Sequence, residues 1–347
     1  MTDIPLTARE VRLLGYQSGP LKAEHFEVIE TPVPSPGLGQ VLVRNRWFRI
    51  SISTRLMAEA GAVTVKGIPF PPLKPGDTLA DGAIGEVVQV GPGTSLEVGN
   101  LVLHPLGWRE YALVPATQCK LIEGPNVDPA AWLGHGWTAY AALVGGIQVR
   151  SGDTVFVSSG AGAIGSMAGQ IARLLGATRI IGSTSSAEKA RWMQQELGYD
   201  AVVTRDGAPI CEQLTEAAPD GIDVIVDMVG GDQLAAALEI SRHGARCVLL
   251  GAVSAELNPS NATLRAPVEL DTFQLILRGV TIRGFSADEH APELFDAWIG
   301  QAATWQREGR IHLSRTMCKG LGAAPLALEQ ACAGHLKGVV MAELESC

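Results

Sequence analysis

Three glycines in the run SSGAGAIGSMAG, namely Gly160, Gly162 and Gly165, stand at the spacing G-x-G-x-x-G. Between a strand and a helix each has its own job. The first permits a tight turn, the second lets backbone approach a pyrophosphate, and the third lets helix and strand pack closely. The following helix N-terminus adds unpaired N–H groups and the positive end of a dipole. A chain with 40 glycines produces such spacings by chance, so the setting decides. Here the run follows the apolar stretch DTVFVSS and opens IGSMAGQIARLLG, in which Ile164, Ala168, Ile171, Ala172 and Leu175 share one helical face. The setting is that of a dinucleotide site.

About 20 residues past such a turn, a dinucleotide-binding protein usually carries an acid for the ribose hydroxyls. This chain instead reads RIIGSTSSAEK, with Ser183, Thr184, Ser185 and Lys189 at that place and Arg205 beyond the next apolar run. An acid would repel a 2′-phosphate, whereas neutral donors and cations suit one, so the pattern favours NADP(H) over NAD(H). Lys189 also has the ordinary reading of a solvated helix residue, with the serines capping that helix.

These residues need a parallel sheet to hold them, and the sequence supplies one. From about Pro129, apolar runs (TVFV, TRIIG, DAVVT, IDVIVDMVG, ARCVLLGAV) alternate with helical patterns such as SAEKARWMQQELG, Ile210–Ala217 and Gln233–Ile240. FQLILRG and VTIRGF complete the strand set, and AAWLGHGWTAYAAL reads as one helix before it. The alternation predicts an α/β protein with a doubly wound parallel sheet, a Rossmann arrangement. The first third is different. VLVRNRWFRIS, IGEVVQVG, NLVLHPLG and REYALVP are short strands between Pro/Gly turns, which suit a β-rich, partly open barrel. GVVMAEL near the end reads as a strand rejoining that first part. The expected division is 1–129 with 313–347 for the β-rich substrate domain and 130–312 for the coenzyme domain.

Composition closes off other classes. A formal charge of −9 argues against a nucleic-acid or anionic-membrane surface. No apolar run approaches the roughly 18 residues of a membrane helix, and MTDIPLTAREVRLL lacks the apolar core of a signal peptide, so the expected location is cytoplasmic. The six cysteines, Cys119, Cys211, Cys247, Cys318, Cys332 and Cys347, form no Cys-x-x-Cys pair and no zinc spacing with histidine, so no metal site is expected and they read as reduced thiols.

The succession TAY, VFVSSGAGAIGSMAGQIARLLGA, STSSAEKARWMQQELGYDAVV, DVIVDMVGG, VLLGAVS and IRGF resembles the medium-chain dehydrogenase/reductase superfamily. More narrowly, it is similar to the zinc-independent branch of prostaglandin reductase (leukotriene B4 dehydrogenase), plant double-bond reductases and bacterial curcumin reductase. The resemblance covers almost the whole chain. It implies a GroES-like first domain, a homodimer, and NADPH-dependent reduction of the C=C bond of an α,β-unsaturated ketone or aldehyde. Hydride goes to the β-carbon and charge develops on the carbonyl oxygen, so orientation and an oxygen-stabilising donor matter most. Zinc enzymes of the superfamily carry Gly-His-Glu before the G-x-V-x-x-V-G strand. Here GEVVQVG is preceded by Ala80, Asp81 and Gly82, and no cysteine lies between Met1 and Gln118.

Carried over by position, the resemblance sets Gly162, Ala163, Ile164 and Gly165 at the pyrophosphate, and Ser183, Ser185 and Lys189 at the ribose phosphate. It sets Thr138 beside the coenzyme, and Val229, Gly251, Ala252, Ser254, Phe285 and Ala287 at the nicotinamide half. His335 falls at the asparagine of the family's G-x-N-x-G-K. The family's tyrosine in D-P-Y-M-R becomes Ser53, with Arg55 retained, and its tyrosine after G-A-I-S becomes roughly Glu256. The cofactor scaffold is kept while the substrate wall is rebuilt. Ser53, Arg55 and His135 are the catalytic candidates. Arg55 would bind a substrate anion or else pair with an acid of its own domain. Quinone reduction, or NADPH binding without catalysis, are the alternatives the rebuilt wall leaves open. Replacing Lys189 by Ala is expected to weaken NADPH binding and spare NADH, which fluorescence titration with both coenzymes checks; equal losses would remove the phosphate contact.

Overall fold

A computed structural model describes residues 4–16, 19–68, 70–124, 127–286 and 291–345. The alternating runs of the first third become strands whose β-branched residues face inward. β1 (Thr7–Leu13) and β2 (Phe26–Pro32) form an antiparallel ribbon. β3 (Gln40–Arg49), β4 (Ala83–Val90), β5 (Leu101–His104), β6 (Tyr111–Pro115) and β7 (Lys120–Leu121) form the larger sheet, with β3 bonded to both β4 and β6. Val41, Val43, Val87, Val102, Ala112 and Val114 fill its fold and are fully buried, as inward positions of a small barrel are. A one-turn helix, α1 (Thr54–Met57), leaves the end of β3.

The stretch AAWLGHGWTAYAAL is two helices, not one: α2 (Pro129–Leu133) and α3 (Gly136–Ala141). Gly134 between them is extended, and a Cβ there would lie 2.2 Å from the Ala130 carbonyl oxygen. A Cβ on Gly136 would lie 2.2 Å from the Trp298 ring. Close packing therefore breaks the helical pattern.

The middle of the chain alternates as the apolar runs demand. β8 (Thr154–Val157), α4 (Gly165–Leu174), β9 (Arg179–Thr184), α5 (Ala187–Glu196), β10 (Ala201–Thr204), α6 (Ile210–Ala217), β11 (Ile222–Asp227), α7 (Gly231–Glu239) and β12 (Ser241–Leu249) follow in turn. Then come α8 (Val253–Glu256), α9 (Thr272–Arg278), β13 (Thr281–Gly284) and α10 (Ala291–Arg307). The strands order as β10-β9-β8-β11-β12-β13, all parallel, so the order reverses between β8 and β11. That is the Rossmann arrangement, joined to a GroES-like barrel. One expected strand is a helix. FQLILR forms α9, because the Asp271 carboxylate accepts from the N–H groups of Phe273 and Gln274, and Gly279, at φ +60°, ends the turn.

The chain then returns to its beginning. β14 (Arg315–Lys319), α11 (Ala324–Cys332) and β15 (Val339–Glu343) make a parallel crossover, and β15 pairs antiparallel with β3. One apolar core includes Ile84, Val339 and Met341 beside the first sheet and Val155 and Ile171 of the second. Trp298 of α10 donates to the Ala131 carbonyl at 2.9 Å within this seam. Among the described residues no helix is long and apolar enough to cross a membrane.

Backbone approaches backbone closely at Gly165, where a Cβ would lie 2.2 Å from the Ser159 carbonyl oxygen and 2.7 Å from the Gly160 Cα. Replacing Gly165 by Leu is expected to cost about 3 kcal/mol, the upper range for overpacking. Gly300→Ala is the control. Nothing lies within 4 Å of a Cβ there, in mid-α10, and the change should stabilise by about 0.5–1 kcal/mol. Urea midpoints of the two variants test the contrast.

Candidate functional site

The crevice outside the carboxyl ends of β8 and β11 is where an open parallel sheet receives a ligand. Side chains fix its floor. The Ser158 hydroxyl donates to Asp227 Oδ1 at 2.7 Å and accepts from the Met228 N–H at 2.8 Å. Asp227 also accepts from the N–H groups of Val229 (3.3 Å) and Gly230 (2.8 Å). Burial raises the Asp227 carboxyl above its usual range, and these hydrogen bonds offset that only in part. Asp227 stabilises the turn and has no donor left for chemistry.

The glycine turn is built differently from its expected division of labour. The positive φ falls on Ser159 (+52°), and Gly160 is small for packing instead: its Cβ would lie 2.3 Å from Met193 Cε. Gly162 is open on the outer side, where a Cβ meets only Ser159 atoms at 3.0 and 3.2 Å. Among the described residues no backbone carbonyl accepts from the N–H of Ala163 or Ile164, just ahead of α4. Free N–H groups over a helix N-terminus, with no side chain between, fit a pyrophosphate.

The ribose end separates the expected residues. Ser183 is 2% exposed, and its hydroxyl donates to Gln233 Oε1 at 2.5 Å and accepts from the Ser159 N–H at 3.0 Å. It braces the glycine turn and is not a phosphate ligand, because its hydroxyl is spent. Thr184 is buried too, while Ser185 is partly exposed. The helix cap is Ser186, which accepts from the Lys189 N–H at 3.3 Å. Lys189 Nζ donates to the carbonyls of Gly334 (2.5 Å) and Leu336 (2.7 Å). Its proton affinity is lowered by burial and by the neighbouring charges of Lys337 and Arg205. Arg205 is exposed; its N–H donates to the Thr184 carbonyl at 3.3 Å, but its guanidinium makes no ion pair or hydrogen bond among the described residues, which leaves that cation free.

His335 sits in the loop whose carbonyls hold Lys189, beside the residues expected at the ribose end. Its side chain is exposed, and its N–H donates to the Gln330 carbonyl at 2.9 Å. At the opposite end, the Val253 and Ser254 N–H groups donate to the Met228 and Val229 carbonyls, and the Ser254 hydroxyl to Val229 as well. Gly251, Ala252, Ser254 and Phe285 thus line the carboxyl edge of the sheet. Thr138 is half-buried on α3. Ala287 lies outside the described residues.

The catalytic candidates part company. Ser53 Oγ and Glu256 Oε2 are 3.1 Å apart. Arg55 is 4% exposed and donates to the Asn258 carbonyl at 2.6 Å, with Glu59 at 4.0 Å. It is spent on its own helix and on the facing loop, so it does not reach out to a substrate anion. His135, between α2 and α3, is depressed to about 3 by burial and by the Arg49 guanidinium. It is neutral at physiological pH and does not serve as a proton donor there. His104 is likewise depressed to about 3, by burial first, and is satisfied by Asn45 at 2.8 Å.

Sequence reasoning missed Lys337 and Gln233. Lys337 Nζ pairs with Glu188 at 2.6 Å and stands 5.6 Å from the centre of the Trp192 ring. Its signal was present in the order Leu-Lys-Gly at the C-terminal motif. Gln233 carries no sequence signal, since only the fold brings it to Ser183.

Known proteins bear on this geometry directly. Residues 163–299 match the model of a family described as zinc-binding dehydrogenase, and residues 9–122 the N-terminal domain of oxidoreductase. The putative NADP-dependent oxidoreductase YfmJ of Bacillus subtilis is 32% identical, covering 91% of each chain. The NADPH-dependent curcumin reductase of Escherichia coli is 29% identical, covering 91% of this chain and 89% of that one. The crystal structure of CurA from Vibrio vulnificus in complex with NADPH superposes with a TM-score of 0.87 at 26% identity, covering 98% of this chain and 100% of the other. Fold, coenzyme crevice and relatives together define an NADP-dependent oxidoreductase of the medium-chain dehydrogenase/reductase family. Within it, the chain belongs to the branch of double-bond reductases. The zinc of the family description has no fitting ligand set here. Asp81 is bonded to Arg49 at 2.7 Å and to the Gly82 N–H, and no three His, Cys, Asp or Glu groups cluster among the described residues.

Arg205→Ala is expected to weaken NADPH binding roughly ten- to a hundredfold, the worth of a lost charged hydrogen bond, and to leave NADH unchanged. Isothermal titration with both coenzymes reads this without disturbing the loop that Lys189 holds.

Proposed function

We propose that this protein reduces the C=C bond of α,β-unsaturated ketones or aldehydes with NADPH. The observation that carries the reading is the crevice itself: free N–H groups at one end of a glycine turn, cations at its ribose end, and a second domain closing over the carboxyl edge. The relation to curcumin reductase supports the substrate class, since curcumin is a conjugated enone. When bound, NADPH supplies the hydride for the β-carbon. The chain's own task is placement. Ala163 and Ile164 hold the pyrophosphate; Arg205, with Ser185, Lys189 and Lys337 near it, meets the 2′-phosphate. The turns after β11 and β12, with Val229, Gly251, Ala252, Ser254 and Phe285, set the floor under the reacting carbons. Residues 1–129 and 313–347 serve as the substrate domain and 130–312 as the coenzyme domain.

The working form is a homodimer. Its support is an apolar face on α9, where Phe273, Ile276 and Leu277 are exposed beside the edge strand β13, which no other described strand covers. A second copy of the chain would cover both. A cytoplasmic location fits the free thiols of Cys119, Cys211, Cys247, Cys318 and Cys332.

Initial rates on enones, enals and quinones, with NADPH and NADH and with products identified, test the function. Saturated carbonyl product with strong NADPH preference is expected. Quinol product alone would assign a quinone reductase, and tight NADPH binding without turnover would assign a non-catalytic protein.

A further inference from the structure

The first domain grips the rim of the crevice by three side chains in step. The Ser53 hydroxyl meets Glu256 at 3.1 Å, Arg55 donates to the Asn258 carbonyl at 2.6 Å, and Glu59 accepts from the Ala262 N–H at 3.0 Å. Of the three, the Ser53–Glu256 contact is the one made to α8 itself, with Asn258 and Ala262 on the loop beyond it. Glu256 ends α8, whose first residues bond to the turn after β11, so this helix stands at the carboxyl ends of β11 and β12. Both Ser53 and Glu256 keep some exposure, while Thr54 and Arg55 behind them are buried.

The charges around this pair are distinctive. Arg55 from α1 is committed to Asn258 and Glu59. Cys332 from α11 is pushed up to about 12, chiefly by burial, and stays a neutral thiol. Among the described residues no lysine or arginine comes within ion-pair distance of Glu256. A carboxyl that is enclosed and has no cation keeps its proton more readily than an exposed one. Burial raises Glu256 accordingly, and the Ser53 and Ala252 hydrogen bonds only partly offset this.

We propose that Ser53 and Glu256 form a proton relay to the substrate's carbonyl oxygen, resting on the enone-reductase reading above. A protonated carboxyl can donate to the serine oxygen, which turns the serine O–H outward to the substrate. As hydride bonds to the β-carbon, the C=C electron pair becomes the new double bond between α-carbon and carbonyl carbon. The C=O π pair moves to oxygen. The Ser53 proton bonds to that oxygen, and the Glu256 proton replaces it on Ser53. The enol then takes a proton from water at the α-carbon and releases its O–H proton, and Glu256 regains a proton from solvent. The sum is one hydride and one proton per C=C reduced. Ser53 is the catalytic residue in this relay, and Glu256 is the residue that holds its proton.

The test compares wild type, Glu256→Gln, Ser53→Ala and the double variant on benzylideneacetone with NADPH. It measures kcat across pH and NADPH affinity by fluorescence titration. Each single variant is expected to lose at least tenfold in kcat with unchanged NADPH affinity, and the double variant no more than either single one. Wild-type kcat should fall as pH rises through the Glu256 titration, because the protonated form is the active one, and Glu256→Gln should lose that limb. Wild-type kcat and pH profile in Glu256→Gln would overturn the relay and leave the enone reading standing, as would losses that multiply in the double variant. A loss of NADPH affinity equal to the loss of kcat would make the pair structural and overturn it too. Absence of wild-type turnover on every enone and enal would overturn the reading and the relay together.

Discussion

Everything about the crevice depends on how closely α4 can approach β8. The limit is set at Gly165, where backbone meets backbone with room for hydrogen alone. That approach fixes the helix N-terminus over the turn, and so fixes where Ala163 and Ile164 point. The other supports follow from it. Ser183 ties the turn to α7 through Gln233, and Ser158 ties β8 to the end of β11 through Asp227. These polar groups are buried and each is satisfied, which is the condition under which a buried network adds rigidity and not cost.

A second level of order joins the two sheets. The seam is apolar on one side, around Trp298 and the core that Ile84 shares with Val155. On the other side it is polar, through α1 and the loop from Glu256 to Ala262. The apolar side supplies most of the adhesion, because burial is non-directional and scales with area. The polar side supplies register. Arg55 is the hinge of that register: buried, with one guanidinium nitrogen on a carbonyl and its Nε unpartnered.

What could be read in advance followed from local rules. The G-x-G-x-x-G turn, the parallel runs and α6 at Ile210–Ala217 came from steric demands and periodicity that residue types carry on their own. The fold class was legible for the same reason. Most of the differences share one cause, which is that the partner was distant in sequence. Ser183 looked like a ribose ligand until Gln233 came to it, and Lys189 looked free until Gly334 and Leu336 did. FQLILR read as a strand from its apolar residues, although Asp271 ahead of it was a readable cap. The close packing at Gly136 belonged to Trp298, far along the chain.

The route of the chain has a further consequence. The Gly338 N–H donates to the Ala161 carbonyl inside the glycine turn, and Lys189 is held by the two carbonyls on either side of His335. β3 likewise finds its partner β15 only in the last residues. That segment is made long after the strands and the turn it completes, so a nascent chain carries an incomplete coenzyme loop and an uncovered edge on β3 until residues 334–343 have emerged. Maturation of the crevice waits for that returning segment, and coenzyme captured by the folded chain reports on the closure of the first domain as much as on the folding of the second.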